Sequence, residues 1–191
     1  MLSFFPYCAF DKVVPEPLCD GIKKLGDSLN FDKGGLHEDL ETVYDDEIRD
    51  SSVSWLNNPE LITLMSSFIN RSNYEAKWNF DIVCHETPQY SAYSKNGFYD
   101  WHVDTGVESE DELLIRKLSL CISLNDDYSG GNFQVQRWGS PEDQKHFLNI
   151  KEMKNKGSIV VFPSFLFHRV TPVTRGIRNS LVCWFRGPRF R

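Results

Sequence analysis

The chain has 191 residues, enough for one globular domain with a sizeable core, and its 40% hydrophobic and 25% charged content excludes a disordered polypeptide. A formal net charge of -6 argues against nucleic acid as the main partner, because a protein that competes for phosphates is normally basic. No stretch approaches the roughly 20 apolar residues needed to cross a membrane.

From the N-terminus, residues 1–7 lack a basic leader and a small-residue cleavage site, and read as a first edge strand that Pro6 ends or kinks. Residues 17–29 carry Leu18, Ile22, Leu25 and Leu29 at helical spacing, with Pro17 at a favourable first position. The acidic residues 34–50 read as an exposed connection. A second helix follows Asn58, a suitable cap, with Pro59 in its first turn and Leu61, Leu64, Met65, Phe68 and Ile69 along one face.

Beyond Asn73 the period changes to that of strands, expected at 78–83, 89–93, 118–124, 132–136, 158–162 and 178–186. Turn residues separate them, including Lys95-Asn96-Gly97 and Gly139-Ser140-Pro141. The expected class is α+β, mainly β: a double-stranded β-helix (jelly roll) with N-terminal helices packed on one face. Residues 1–191 are expected to form one domain, with 1–75 a mostly helical support and 76–191 the jelly-roll core. The last arginines, Arg186, Arg189 and Arg191, read as a solvated tail. The five cysteines are odd in number and form no Cys-x-x-Cys pair, which suits reduced, mostly buried thiols in a cytoplasmic protein.

His102-Val103-Asp104 puts two ligand-type side chains two residues apart, where extended backbone aims both the same way. His168 follows a buried strand that ends at Pro163, on a short turn. Two imidazoles and one carboxylate suit a non-haem Fe(II) centre with three positions open, which a bidentate 2-oxo acid and O2 would fill. Arg178 opens the last strand and shares a face with Ser180, Val182 and Trp184 by alternation. An arginine inside an apolar strand needs an anion, which the distal carboxylate of 2-oxoglutarate would supply, with Ser180 as a neighbouring donor. Trp101, Tyr99 and Phe98 flank the His-x-Asp and are candidates for a substrate mouth; Asp100 and Arg169 are candidates for orienting the ligands. His37, His85 and His146 have no ligand partner at useful spacing and read as surface or capping residues.

Tyr93 through Asp104, Leu118 through Asn125 followed by Tyr128-Ser-Gly-Gly131, and Gly157 through Pro163 joined to His168-Arg-Val-Thr-Pro-Val-Thr-Arg-Gly-Ile-Arg178 resemble the Fe(II)/2-oxoglutarate oxygenase superfamily in its prolyl 4-hydroxylase-like branch. The Thr-Pro-Val-Thr-Arg-Gly run is similar to that of PKHD-type hydroxylases, and residues 49–56 to compact bacterial and phage-encoded members. The resemblance implies hydroxylation of an unactivated C–H, succinate and CO2 as co-products, Tyr93 reaching 2-oxoglutarate, and ascorbate as a reductant. Asp104 implies hydroxylation rather than halogenation. A peptide or protein prolyl residue is the implied substrate, with a free amino acid or small metabolite as the alternative. A silent jelly-roll binding module, a nucleic-acid demethylase and a cupin-type enzyme using no 2-oxo acid are the competing readings. Oligomeric state is left open.

Overall fold

Residues 118–124 set the layering, because large apolar side chains alternate there with small ones. The computed structural model describes residues 5–38, 41–43, 45, 47–105, 113–136 and 147–190. In it, Leu118, Leu120, Ile122 and Leu124 are fully buried in one core with Ile159, Val161, Leu181, Cys183 and Phe185. Two helices close that core: α1 (Glu16–Asp27) supplies Cys19 and Ile22, and α2 (Pro59–Glu75) supplies Leu61, Met65 and Ile69. Cys121, on the opposite face of the same strand, joins a second core with Val160, Phe162, Phe133, Val135 and Val170.

The layers are therefore helices, an eight-stranded sheet and a five-stranded sheet. The larger sheet pairs Leu114–Ser123 with both Ile159–Pro163 and Arg178–Pro188, all antiparallel, and Gln89–Tyr93 lies on the far side of Arg178–Pro188. The smaller sheet runs Phe147–Asn149, Phe133–Gln136, His168–Val170, Phe98–His102, Arg49–Asp50. This is the expected mainly-β jelly roll with helices on one face.

Helix α2 starts as its sequence implies: Asn58 Oδ1 accepts the backbone N–H groups of Glu60 and Leu61 at 2.9 and 3.1 Å. Helix α1 differs from its expected stripe. Leu18, Leu25 and Leu29 are exposed, and the buried positions are Cys19, Ile22 and Gly26. Gly26 explains the rotation, since a Cβ there would lie 2.5 Å from the Tyr90 ring; only glycine lets the helix approach so closely. Gly26→Ala should therefore destabilise by about 1–3 kcal/mol through overpacking, despite alanine's better helix propensity. Urea unfolding checks this, and stabilisation by the substitution would contradict it.

Several expected elements shift. The edge strand is Cys8–Phe10, after Pro6 and paired with Ile159–Pro163; residues 1–4 lie outside the described residues. Residues 78–83 form no strand. Lys77 and Asn79 have positive φ (57° and 54°), and the Asn73 amide clamps both the N–H and the C=O of Phe80. The short strand there is Cys84–His85. Residues 34–50 are not simply an exposed connection: Leu36–Glu38 pairs with Glu41–Val43, and Arg49–Asp50 joins the smaller sheet with Arg49 buried. The N-terminal part thus contributes strands to both sheets besides its helices.

The last strand runs on to Pro188, and the Lys117 ammonium lies 3.4 Å from the Phe190 ring centroid, so the C-terminal arginines are not all on a free tail. Arg191, the Gly139-Ser140-Pro141 turn and His146 lie outside the described residues, as does the His37 side chain; His85 is exposed. All five cysteines are free thiols: Cys19, Cys121 and Cys183 are buried and Cys84 exposed. Among the described residues no helix is long and apolar enough to cross a membrane.

Candidate metal centre and anion pocket

His102 ends the strand Phe98–His102, and Asp104 follows in a bend whose backbone N–H donates to the Ser164 carbonyl at 2.9 Å. His168 does not sit on a turn, as expected from Pro163, but opens a strand of its own, in direct register with His102. That pairing brings the imidazoles together with ring centroids 4.1 Å apart. His102 Nε2 lies 3.8 Å from Asp104 Oδ1, and His168 Nε2 lies 3.4 Å from Oδ2. One ligand atom from each residue falls within 4.8 Å of the others. Bonds of roughly 2.0–2.2 Å to a single ion require a cluster of about this size.

The hydrogen bonds aim both rings. His102 Nδ1 meets the Asp100 carbonyl at 2.7 Å and His168 Nδ1 meets the Leu166 carbonyl at 3.0 Å. A carbonyl can only accept, so each Nδ1 carries a proton, and each Nε2, facing Asp104, is the nitrogen left for a metal. It is the Asp100 backbone, not its carboxylate, that orients His102. Burial holds His102 well below the ordinary imidazole range, so it is neutral and ready to ligate near pH 7. For Asp104, burial alone would raise the carboxyl, but His168, His102, Arg116 and the Ser119 hydroxyl outweigh it and keep the group below its usual value.

Ser119 was not a candidate in the sequence, yet its fully buried hydroxyl donates to Asp104 Oδ2 at 2.6 Å and lies 2.9 Å from Ser164 Oγ. The signal was present: small polar residues alternate with large apolar ones through 118–124. Ser119→Ala should weaken metal binding about tenfold while leaving the fold intact, by freeing the carboxylate to rotate. Calorimetric titration with Mn(II) measures this, and unchanged affinity would contradict it. Arg49 is a second residue missed, hidden in the supposed connection. Its guanidinium lies 4.6 Å from the Tyr99 ring, which stacks on His102 at 3.4 Å and 10°. Arg116 is a third: it pairs with both oxygens of Glu86 at 2.7 and 2.6 Å, and Nη1 reaches the Asp104 carbonyl at 3.4 Å.

Of the three aromatic candidates, Tyr99 backs His102 and Phe98 pairs with Asp50 at the sheet edge. Trp101 packs with Arg169 (4.6 Å) and Phe147 (6.4 Å). Alternation sends Arg169 to the face opposite His168 and Val170, so Trp101 lies away from the triad. Arg169 itself bonds Gln134 at 2.7 Å and lies 3.7 Å from Asp100.

Arg178 is 1% exposed, directly opposite Tyr93 in the sheet, with its guanidinium 5.3 Å from the Tyr93 ring. Nη1 donates to Ser180 Oγ at 3.1 Å, but Nε and Nη2 are buried with no hydrogen-bond partner among the described residues. These two nitrogens share one edge of the guanidinium, the edge that grips a carboxylate bidentately. Among the described residues the largest influences on Arg178 after burial are Tyr128, Cys121 and Tyr93, none of them a carboxylate. A buried cation of this kind fits an anionic ligand.

A jelly roll in which two imidazoles and one carboxylate converge carries the ligand set of the mononuclear non-haem iron oxygenases. The family model described as the 2OG-Fe(II) oxygenase superfamily matches residues 88–186, and the chain belongs to that superfamily. The description of that superfamily names Fe(II) and 2-oxoglutarate, so these are the groups against which the site is tested. Over 103 residues it is 31% identical to a PKHD-type hydroxylase of Teredinibacter turnerae, and over 104 residues 29% identical to one of Alteromonas mediterranea. Each match covers 52% of this chain but only 42% of the relative, so the chain spans about two fifths of the length of these curated relatives.

Among solved structures, a Pseudomonas putida prolyl-4-hydroxylase superposes with a TM-score of 0.72 at 18% identity, over 95% of this chain and 93% of that one. The viral collagen prolyl hydroxylase of Paramecium Bursaria Chlorella virus-1 gives 0.69 at 18% identity, over 96% and 97%. A Trichoplax adhaerens prolyl hydroxylase, solved with a hypoxia inducible factor peptide fragment, gives 0.69 at 18% identity over 94% and 83%. At these identities the likeness concerns the fold.

Proposed function

We propose that this chain is an Fe(II)- and 2-oxoglutarate-dependent hydroxylase, prolyl 4-hydroxylase-like, that acts on a peptide or protein and releases succinate and CO2. His102 Nε2, the Asp104 carboxylate and His168 Nε2 would hold the iron, and Arg178 would take the far carboxylate of 2-oxoglutarate. When bound, Fe(II) couples the oxidative decarboxylation of 2-oxoglutarate to insertion of oxygen into a C–H bond. The observation that carries the reading is Arg178: a buried guanidinium whose Nε and Nη2 have no hydrogen-bond partner among the described residues.

The chain's own part is positioning. Asp104 supplies the one negative charge of the ligand set, and Ser119 holds its carboxylate still. The Asp100 and Leu166 carbonyls keep both imidazoles in the ligating tautomer. Phe133 and Phe162 crowd His168 at 5.8 and 4.6 Å and keep water from that side of the cluster. Ser180 anchors the Arg178 fork, and Tyr93 lies beside it, placed to contact the same ligand. The peptide class is supported by the solved relatives described as prolyl hydroxylases, one of them with a peptide bound. Free thiols fit a reducing compartment, which is the basis for proposing a cytoplasmic setting. We further propose that residues 1–191 act as one domain and that ascorbate serves as reductant.

The test is to incubate the purified protein with Fe(II), 2-oxoglutarate, ascorbate and a library of proline-containing peptides in air. Succinate formation together with a peptide heavier by one oxygen atom on proline is expected. Succinate without any modified peptide, but with a hydroxylated small molecule, would reject the peptide assignment. No succinate under any condition would reject the oxygenase activity.

A further inference from the structure

Lys117 is buried on the strand that carries Ser119, but its side chain does not join the metal cluster. Leu114–Ser123 loses register with Arg178–Pro188 between Arg116 and Leu118, a bulge that leaves Lys117 without an opposite residue. Regular alternation would put it on the face of Ser119. Instead its ammonium lies 3.4 Å from the centroid of the Phe190 ring and 6.0 Å from that of Phe80, which packs on the helix-side core. The residue is only 4% exposed, yet it lines a surface cleft with Phe80, Asp81, Pro188, Arg189 and Phe190.

The three N–H donors of this ammonium meet two ring faces. Among the described residues they meet no hydrogen-bond acceptor and no carboxylate within ion-pair distance. Burial holds the ammonium below the ordinary lysine range, and Asp81 opposes that shift only from farther away. Ring faces attract a cation but do not take its N–H donors as an oxygen does. The charge therefore lacks the partner its burial calls for, and an anion carried on an apolar stem would supply it.

The cleft adjoins the metal end of the barrel. Phe165 packs edge-on against both Phe80 (6.4 Å) and Phe190 (5.8 Å). The preceding Ser164 accepts the backbone N–H groups of Asp104 and Thr105, lies 2.9 Å from the Ser119 hydroxyl, and donates its own N–H to the Lys117 carbonyl at 2.9 Å. Ser164 and Phe165 are thus the divide between cleft and cluster, and an extended chain that crosses Phe165 reaches both. A small free carboxylate gains only the cleft, whose Phe190 wall is half-exposed, whereas a polypeptide held at the cluster meets the cleft at high effective concentration.

We propose that the Lys117 cleft is a docking site for an acidic side chain of the polypeptide substrate, with the ammonium taking the carboxylate and Phe80 and Phe190 flanking its stem. The proposal deepens the peptide-hydroxylase reading and rests on it. Because the chain has a net charge of -6, acidic peptides meet no general attraction, and the preference must appear at one position of the peptide.

The experiment uses proline-centred peptides in which a single glutamate is moved through every position, each beside its glutamine counterpart. Fluorescence anisotropy measures their binding to the whole chain loaded with Mn(II) and 2-oxoglutarate without O2. At one position glutamate should bind about tenfold more tightly than glutamine. Lys117→Met, which keeps the buried stem, should abolish that difference without changing Mn(II) affinity. Lys117→Arg should keep it, and Asp81→Asn should enlarge it by removing the opposing charge. A glutamate preference that survives in Lys117→Met, or no preference at any position in peptides that are hydroxylated, would overturn the docking site alone. N-acetylglutamate that binds as tightly as the best peptide would overturn the polypeptide as its occupant. A Lys117-dependent preference in peptides that never gain oxygen would uphold the docking site and reject the peptide-hydroxylase reading, whereas wild-type protein that binds no peptide would overturn both.

Discussion

Replacing Arg178 with methionine should weaken 2-oxoglutarate binding by roughly a hundredfold, about 3 kcal/mol, while leaving the metal-free protein as stable as before or more so. The two effects have one cause. Without the diacid, Nε and Nη2 are buried with no acceptor among the described residues, a desolvation cost of about 1–3 kcal/mol that methionine removes. With the diacid present, the same nitrogens supply charge-assisted bonds whose loss leaves the carboxylate buried and unpaired. An ordinary structural arginine behaves in the opposite way, since its removal unfolds the protein. Calorimetry with 2-oxoglutarate and thermal melts of the apo protein read the two signs separately. Destabilisation by several kcal/mol with unchanged diacid affinity would show that Arg178 serves the fold.

The second large effect is expected at Asp104. Asp104→Asn changes the charge and keeps the shape, and the Ser119 hydroxyl can still donate to the remaining oxygen. Metal affinity should fall by more than the roughly 10–100-fold typical of residues that merely support a ligand, because the one negative charge opposing the ion is gone. Succinate production should fall to background with it. The fold should persist, because the substitution keeps the side chain's shape and the Asp104 backbone N–H still donates to the Ser164 carbonyl. Calorimetric Mn(II) titration alongside far-ultraviolet circular dichroism checks both halves, and full metal affinity in Asp104→Asn would remove this residue from the ligand set.

Much of the architecture was legible because residues 118–124, 158–162 and 178–186 announce both their conformation and their faces. Leu118, Leu120 and Ile122 look toward the helices, Ser119 and Cys121 toward the site, and the same alternation aligns Arg178 with Ser180. The His-x-Asp and the later histidine were legible as ligand types, and the register of His168 on His102 then explains how they meet. What was hidden depends on tertiary contacts. Residues 78–83 have strand composition, but the Asn73 amide and two left-handed residues hold them as a loop. Leu18, Leu25 and Leu29 suggest a buried stripe, yet helix α1 turns its glycine to the sheet because Tyr90 occupies the space a side chain would need. Arg49 lies in an acidic stretch, and only the pairing of Arg49–Asp50 with Phe98–His102 places it over Tyr99.

The most direct measurement is the metal stoichiometry of the wild-type chain beside three variants, His102→Ala, Asp104→Asn and His168→Ala, titrated with Fe(II) under strict anaerobiosis. One ion per chain is expected for the wild type, with binding lost or severely weakened in each variant, as befits three side chains whose ligand atoms lie within 4.8 Å of one another. Absence of tight binding in the wild type, or an ion that stays when any of the three is removed, would mean that these residues do not form a common metal centre.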